Sequence, residues 1–338
     1  MNSISPKIIR QILVLLILGI IGLLIFAELI PYLSGVLGAI TIYVLMNKWM
    51  VKLVKKGWNP SLAASLLMLL SFVGILLPIA GMIFMLSNKI SRAVNNSEKL
   101  FSALQDHILA FENQFDYDFY SDIDVSSITS WLSENIPLLI GSSFNMIIAV
   151  AIMYFLLYYL FTNPDGLSKT ILYFIPFNKS NLKLVIKESK KMVRSNAIGI
   201  PIVAIAQGIV ALIGFFIFGI ENPIFWFVIV TIGSMIPFVG TLVGILPVFI
   251  ITLASGYTYE AWGILIYGFV IVGSTDNIIR IYVLKKLDDV HPIITLVGVI
   301  IGVPLFGFIG LIFGPLFISL FFILLKIYQK EYGERKLI

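Results

Sequence analysis

Apolar residues run along this chain in long charge-free stretches, without the alternation of a half-buried strand or the 3.6-residue stripe of a surface helix. The stretches cover 11–27, 29–47, 57–88, 135–164, 195–220, 222–259, 261–275 and 290–325. A helix that crosses a bilayer needs about 20 apolar residues, because each backbone N–H and C=O must find its partner without water. Strands of a membrane barrel would be about half as long and would alternate in polarity. The pattern predicts an all-α polytopic integral membrane protein with eight hydrophobic segments.

Lysine and arginine near the segment ends set the expected orientation, since cytoplasmic loops carry the basic excess. Lys7 and Arg10 put the N-terminus inside, and Lys48, Lys52, Lys55 and Lys56 do the same for the loop after the second run. Three transmembrane segments are therefore expected in 1–87. The stretch 88–136 is expected outside, because Lys89, Arg92 and Lys99 are outnumbered by Glu98, Asp106, Glu112, Asp116, Asp118, Asp122, Asp124 and Glu134. A fourth transmembrane segment, 137–163, returns the chain to a cytoplasmic basic amphipathic segment, 164–197, and 198–338 forms the rest of the transmembrane core.

Two runs in that core do not fit simple crossings. The run 222–259 lies between Glu221 and Glu260 and has to end on its starting side, because Arg280, Lys285 and Lys286 mark the far end of the following helix as inside. It is slightly short for two passages of about 20 residues, and Pro237-Phe238-Val239-Gly240 interrupts it. The run 290–325 starts inside and meets Lys326 and Lys330, again inside, with Pro304-Leu305-Phe306-Gly307 in its middle. Re-entrant helical hairpins of opposite orientation are the expected solution. Gly233, Pro237, Gly240, Gly244 and Pro247 are loosely echoed by Gly302, Pro304, Gly307, Gly310, Gly314 and Pro315, in the manner of an internal inverted repeat.

Composition narrows the function. Hydrophobic residues make up 59% and charged residues 12%, against about a quarter charged in soluble chains. The net charge of +5 sits beside apolar runs, so it reads as topology and implies no nucleic-acid partner. The first run is expected to be an uncleaved span, since no small-x-small cleavage pattern follows it. With no cysteine, there is no disulfide framework, thiolate metal site or thiol nucleophile. There is no Walker A sequence, and His107 and His291 lack companions at metal-ligand or triad spacing. No enzyme activity and no cofactor are expected.

Outside the core, Ile90, Val94, Phe101, Leu104, Ile108 and Phe111 recur at close to helical spacing and predict an amphipathic surface helix. Asp116, Asp118, Asp122 and Asp124 lack the glycine and closing glutamate of a calcium loop. The residues around Leu182, Val185, Ile186, Met192 and Val193 are interleaved with lysines and are expected along the inner headgroup layer, with membrane lipid as partner.

What remains is transport. A helix broken inside lipid leaves backbone groups that have to face a cavity or a passenger, and half-helix ends offer partial charges to it. Pro237 to Gly240 and Pro304 to Gly307 are the candidate breaks, and Gln207, Ser234, Thr241 and Thr295 are candidate hydrogen-bonding groups, each of which would otherwise bond a neighbouring helix. Asp276, Asn277 and Arg280 form the strongest polar group in an apolar setting. Asp276 and Arg280 share a helix face, either as an interfacial anchor or as an ion-coupling pair.

Gln207-Gly208, Gly219, Ile236-Pro237-Phe238-Val239-Gly240 with Gly244 and Pro247, Asp276-Asn277, His291-Pro292, and Phe306-Gly307 through Gly310 to Gly314-Pro315 together resemble the autoinducer-2 exporter family of bacterial and archaeal membrane proteins. The resemblance covers nearly the whole chain and is most specific over 232–325. Ile281 departs from it, standing where the family often has proline. The resemblance implies a homo-oligomeric secondary transporter of the cell membrane, with a pentamer as the family's expected form; Lys7, Arg10, Lys326 and Lys330 separately put both termini inside. It leaves the passenger open. A small hydrophilic solute such as the quorum-sensing signal autoinducer-2 would use Gln207, Ser234, Thr241 and exposed hairpin backbone, whereas a sodium or lithium/proton antiporter would use Asp276. A membrane scaffold that moves nothing is the third expectation.

Overall fold

The computed structural model describes residues 6–82, 143–163, 178–236, 240–275, 278–279 and 292–332, and among them every regular element is helical. The segment 88–136 with His107 and its aspartates, His291, Pro237, Asp276, Asn277 and Arg280 lie outside the described residues, as does the side chain of Thr241. The helices are α1 (Pro6–Leu29), α2 (Leu33–Lys55), α3 (Pro60–Ser71), α4 (Ser143–Thr162), α5 (Lys179–Ile217), α6 (Pro223–Gly233), α7 (Gly240–Ala254), α8 (Thr258–Tyr267), α9 (Pro292–Phe306) and α10 (Gly310–Tyr332).

The first bundle is α2, α3 and α4. A glycine ends α2: Gly57 takes φ +88, which lets its N–H donate to Val54 O at 3.0 Å and the Trp58 N–H donate to Leu53 O at 3.2 Å. This satisfies carbonyls that no further helical turn would reach. Asn59 then starts α3 by accepting the Ser61 N–H at 2.9 Å, with Pro60 at the first helical position, where its missing N–H would be unpaired in any case. The reversal is short, so α2 and α3 lie side by side, and α4 closes over both. Gly38 faces Met153 closely enough that a Cβ would sit 2.7 Å from its Sδ. Ile42, Met46, Ala63, Ala64, Leu67, Met153, Leu157 and Phe161 fill the shared core. By contrast α1 is exposed at every residue whose burial is described.

The second bundle is built on α5, a 39-residue helix capped by Asn178 and containing Pro201. At 1.5 Å per residue it is about 58 Å long, roughly twice the bilayer's apolar thickness. It runs unbroken from the basic segment into the apolar run. Gly219 ends it at φ +63, with the Ile220 N–H donating back to Phe215 O at 2.9 Å.

Two antiparallel helix pairs flank α5. In the first, α6 and α7 touch through backbone: a Cβ on Gly233 would lie 3.0 Å from Gly240 O, and one on Gly244 would lie 3.1 Å from Val230 Cα. In the second, α9 and α10 meet through Gly298 and Gly302 on one side and Gly310 and Gly314 on the other. A Cβ on Gly302 would sit 2.6 Å from Gly310 O. Between lipid-exposed helices the hydrophobic effect supplies no attraction, so small residues that let backbones approach have to supply it through packing. By length and composition, Pro6–Lys55, Pro60–Met82, Ser180–Ile217 and Ile293–Gln329 each suffice to cross a membrane. The last is not one rod, however: Gly307 takes φ +62 in the turn Gly307–Ile309, and the glycine contacts fold α10 back along α9.

Candidate functional site

Helix α5 divides its neighbours between its two halves. Its N-terminal half puts Met192 and Val193 against Leu37 of α2 and Phe313 and Leu316 of α10. There the Asn196 amide donates to Ile312 O at 3.1 Å, close to Pro315, whose missing N–H disturbs the carbonyl ladder of α10. Its C-terminal half packs on the first pair. At Gly208 the approach is so close that a Cβ would meet Thr231 Oγ1 and lie 3.0 Å from Phe227 Cε2. Ala211 and Phe215 continue that contact with Val230, Ile245, Val248 and Ile264. The changeover falls at 200–207, next to Pro201. Here Ala204 packs in one cluster with Met235 from the end of α6, Val299 from α9 and Leu311 from α10, with Ile200, Ile236 and Val303 around them. Both helix pairs therefore touch α5 at the same level.

Polar side chains ring this apolar seam. Gln207, 2% exposed, is one turn from Ala204. Its Nε2 donates to Val272 O at a long 3.5 Å, at the end of the π-helical turn Gly268–Val272. Its Oε1 has no partner. Ser234, 3% exposed, adjoins Met235 in the turn that ends α6. Its N–H donates to Val230 O at 2.8 Å, but its Oγ is also without a partner. Thr295 is buried one turn before Val299. Gly240 is buried against the Ser234 backbone, where a Cβ would not fit.

The site residues expected from sequence are thus partly gathered. Ser234 and Gly240 meet where α6 turns into α7, Gln207 is buried on α5 against the Val272 carbonyl, and Thr295 is buried on α9 one turn before Val299. Pro304 and Gly307 sit exposed at the far end of α9 and in the following turn, outside the buried seam. Pro237, Asp276, Asn277, Arg280 and the Thr241 side chain lie outside the described residues. Asn196 and the Val272 carbonyl were not expected. Asn196 had a visible sign, a carboxamide at the start of an apolar run, whereas the π-helical turn has none beyond its bounding glycines.

Chemically, the seam offers one acceptor, Gln207 Oε1, and one hydroxyl, Ser234 Oγ, that the fold leaves unused. Each buried, unmade hydrogen bond costs about 1–3 kcal/mol, and lipid provides no water to relieve it. Among the described residues of the seam no side chain is ionisable.

Comparison with known proteins agrees with the fold. The family described as AI-2E family transporter matches residues 13–330. A Mycobacterium tuberculosis (strain H37Rv) protein named "Putative transport protein Rv1101c" is 25% identical over 309 residues, covering 84% of this chain and 78% of that protein. A "Putative transport protein" of Aquifex aeolicus is 23% identical over 207 residues, covering 61% of this chain and 59% of its own length. "Putative transport protein YdiK" of Escherichia coli K12 is 30% identical over 128 residues, 38% of this chain and 34% of that one.

Proposed function

Because the chain belongs to the AI-2E transporter family, we propose that it is a secondary transporter that carries a small hydrophilic solute, autoinducer-2 being one candidate, across the cell membrane. In this reading the chain has eight hydrophobic segments, both termini lie inside, and copies assemble into a homo-oligomer. The pairs α6–α7 and α9–α10 are re-entrant hairpins that enter from opposite faces and meet at the seam on α5. Helix lengths support re-entrance: the 11 residues of α6 and the 15 of α7 and α9 reach only about 16 and 22 Å, short of an apolar layer of about 30 Å.

The observation that carries the reading is the pair of buried, unpartnered atoms, Gln207 Oε1 and Ser234 Oγ, at the junction of α5 with a broken helix. A packing interface selected only for stability would have apolar groups or completed hydrogen bonds there. A passenger passing from one hairpin to the other meets these atoms and completes their bonds. Uptake by proteoliposomes holding the full chain, with and without a proton gradient, tests it. Uptake of labelled autoinducer-2 or another small polar solute above protein-free vesicles, and its loss in Ser234→Ala, is expected. If no solute or ion crosses while a partner protein binds, the chain is a scaffold and the transport reading fails.

A further inference from the structure

We infer that Gln207 is the specificity-determining residue of this seam: it presents an acceptor, Oε1, to a hydrogen-bond-donating group of the solute, a hydroxyl or an ammonium, and so selects neutral and cationic solutes against anions.

The orientation of the amide follows from its other end. A backbone carbonyl only accepts hydrogen bonds, so the end of the Gln207 side chain that faces Val272 O has to be the nitrogen. Reversing the amide would set two acceptors against each other. That leaves Oε1 as the free end, 2% exposed as a residue and with no donor in reach among the described residues.

The hydroxyl of Ser234 is a second buried group without a bond, although as donor or acceptor it does not itself discriminate between charges. Several hydroxyls in or just past helices bond back to the carbonyl four residues earlier: Thr41 to Leu37 O at 2.9 Å, Thr231 to Phe227 O at 2.7 Å, Ser255 to Ile251 O at 2.8 Å and Thr275 to Ile271 O at 2.7 Å. Ser234 Oγ does not, although it is 3% exposed and has no water to turn to. Each unbonded atom belongs to a residue one turn or less along the chain from a member of the cluster of Ala204, Met235, Val299 and Leu311, and in this inference both face the solute, as a contact of mixed character. Oε1 accepts, and Oγ accepts or donates. A carboxylate or phosphate brings lone pairs to Oε1, and no described side chain of the seam carries a compensating positive charge. A site built around a polar contact rejects a solute lacking that contact far more strongly than an apolar pocket rejects a missing methylene.

This rests on the transport reading, and its test is arranged to fail separately from it. Full-length protein in proteoliposomes is given erythritol, ethanolamine and erythronate as neutral, cationic and anionic probes, and purified protein is melted in parallel. Wild type is expected to take up erythritol or ethanolamine and to exclude erythronate. Gln207→Leu is expected to lower kcat/KM for the accepted probe at least tenfold with little change in melting temperature, since the loss of the long 3.5 Å bond from Nε2 to Val272 O is offset by removing the buried, unbonded Oε1. A residue that only packs α5 on α8 would lower the melting temperature and leave discrimination between the probes unchanged. Gln207→Met, which keeps the side chain's length, repeats the comparison if Gln207→Leu does not fold. Erythronate uptake equal to that of erythritol, or unchanged uptake in both variants, overturns the inference and leaves transport standing. Absence of uptake for all three probes overturns transport and the inference with it.

Discussion

The tightest prediction concerns Gly302. A Cβ there would lie 2.6 Å from Gly310 O and 2.7 Å from Gly314 Cα, and both obstacles are backbone, so no side-chain rotation relieves the clash. Ordinary carbon contacts begin at about 3.5 Å, so α9 and α10 would separate by almost 1 Å along a seam that also holds Gly298 against Pro315. A gap of about 0.5–1 Å forfeits a quarter to half of each dispersion contact, and overpacking of this kind costs about 1–3 kcal/mol. Gly302→Ala should therefore lower the melting temperature of the full chain by several degrees, at roughly 2–4 °C per kcal/mol. Gly22→Ala is the control. Nothing lies within 4 Å of the Cβ it would add, and alanine is the better helix former by about 1 kcal/mol, so its melting temperature should hold or rise. Melting in detergent, followed by tryptophan fluorescence and by resistance to trypsin, reads both. If the two variants melt together, α9 and α10 do not close on their glycines, and the hairpin and the seam it helps to form are wrong.

The absence of cysteine makes sidedness direct to measure. Cysteines introduced at Glu221 and Tyr257 should label from one face and those at Ile293 and Tyr328 from the other, and labelling of either pair from both faces would replace a hairpin with a crossing. Asn196→Leu should cost about 1 kcal/mol, as hydrogen bonds between membrane helices average below that value and reach about 1.7, and should leave KM unchanged; a large KM shift measured in vesicles would place Asn196 in the solute path instead. Asp276→Asn should leave uptake of the neutral probe within about twofold if Asp276 and Arg280 form an anchor, whereas loss of sodium-dependent proton movement in the same vesicles would favour antiport.

Much of this was legible in the sequence because lipid simplifies the code. Backbone satisfaction forces helices, and charge placement, run length and the Pro-Gly interruptions together predict that 222–259 and 290–325 double back; among the described residues each contains an antiparallel helix pair. The closeness of the pairs was less legible. Gly298 and Gly302, and Gly310 and Gly314, carry the small-xxx-small spacing that marks helix contact, yet beside Pro304 the later glycines read first as signs of a break. Proline marks the reversal only approximately: Pro304 fits inside α9, and the chain turns at Gly307, where a left-handed φ requires glycine. Burial of Gln207 and Ser234 followed from their type and setting. That each would be left with an unbonded atom did not, because it depends on how far Gly208 lets α6 advance onto α5.

That dependence ties fold to function. Gly208 draws α6 against α5 until Gln207 and Ser234 are sealed from solvent, and the same approach brings Met235 to the level where Val299 and Leu311 arrive from the second pair. Neither pair touches α5 along its whole length: α10 holds the N-terminal half and α6 the C-terminal half. The halves join at 200–207, where Pro201 removes one rung of the helix ladder. In the proposed transport reading, a bend there would move one pair relative to the other without unpacking either, since the glycine contacts of Gly233 with Gly240 and of Gly302 with Gly310 lie within each pair while apolar side chains bridge between them. In the same reading, the polar atoms left unbonded near that joint are where alternating exposure to the two sides would hold the passenger.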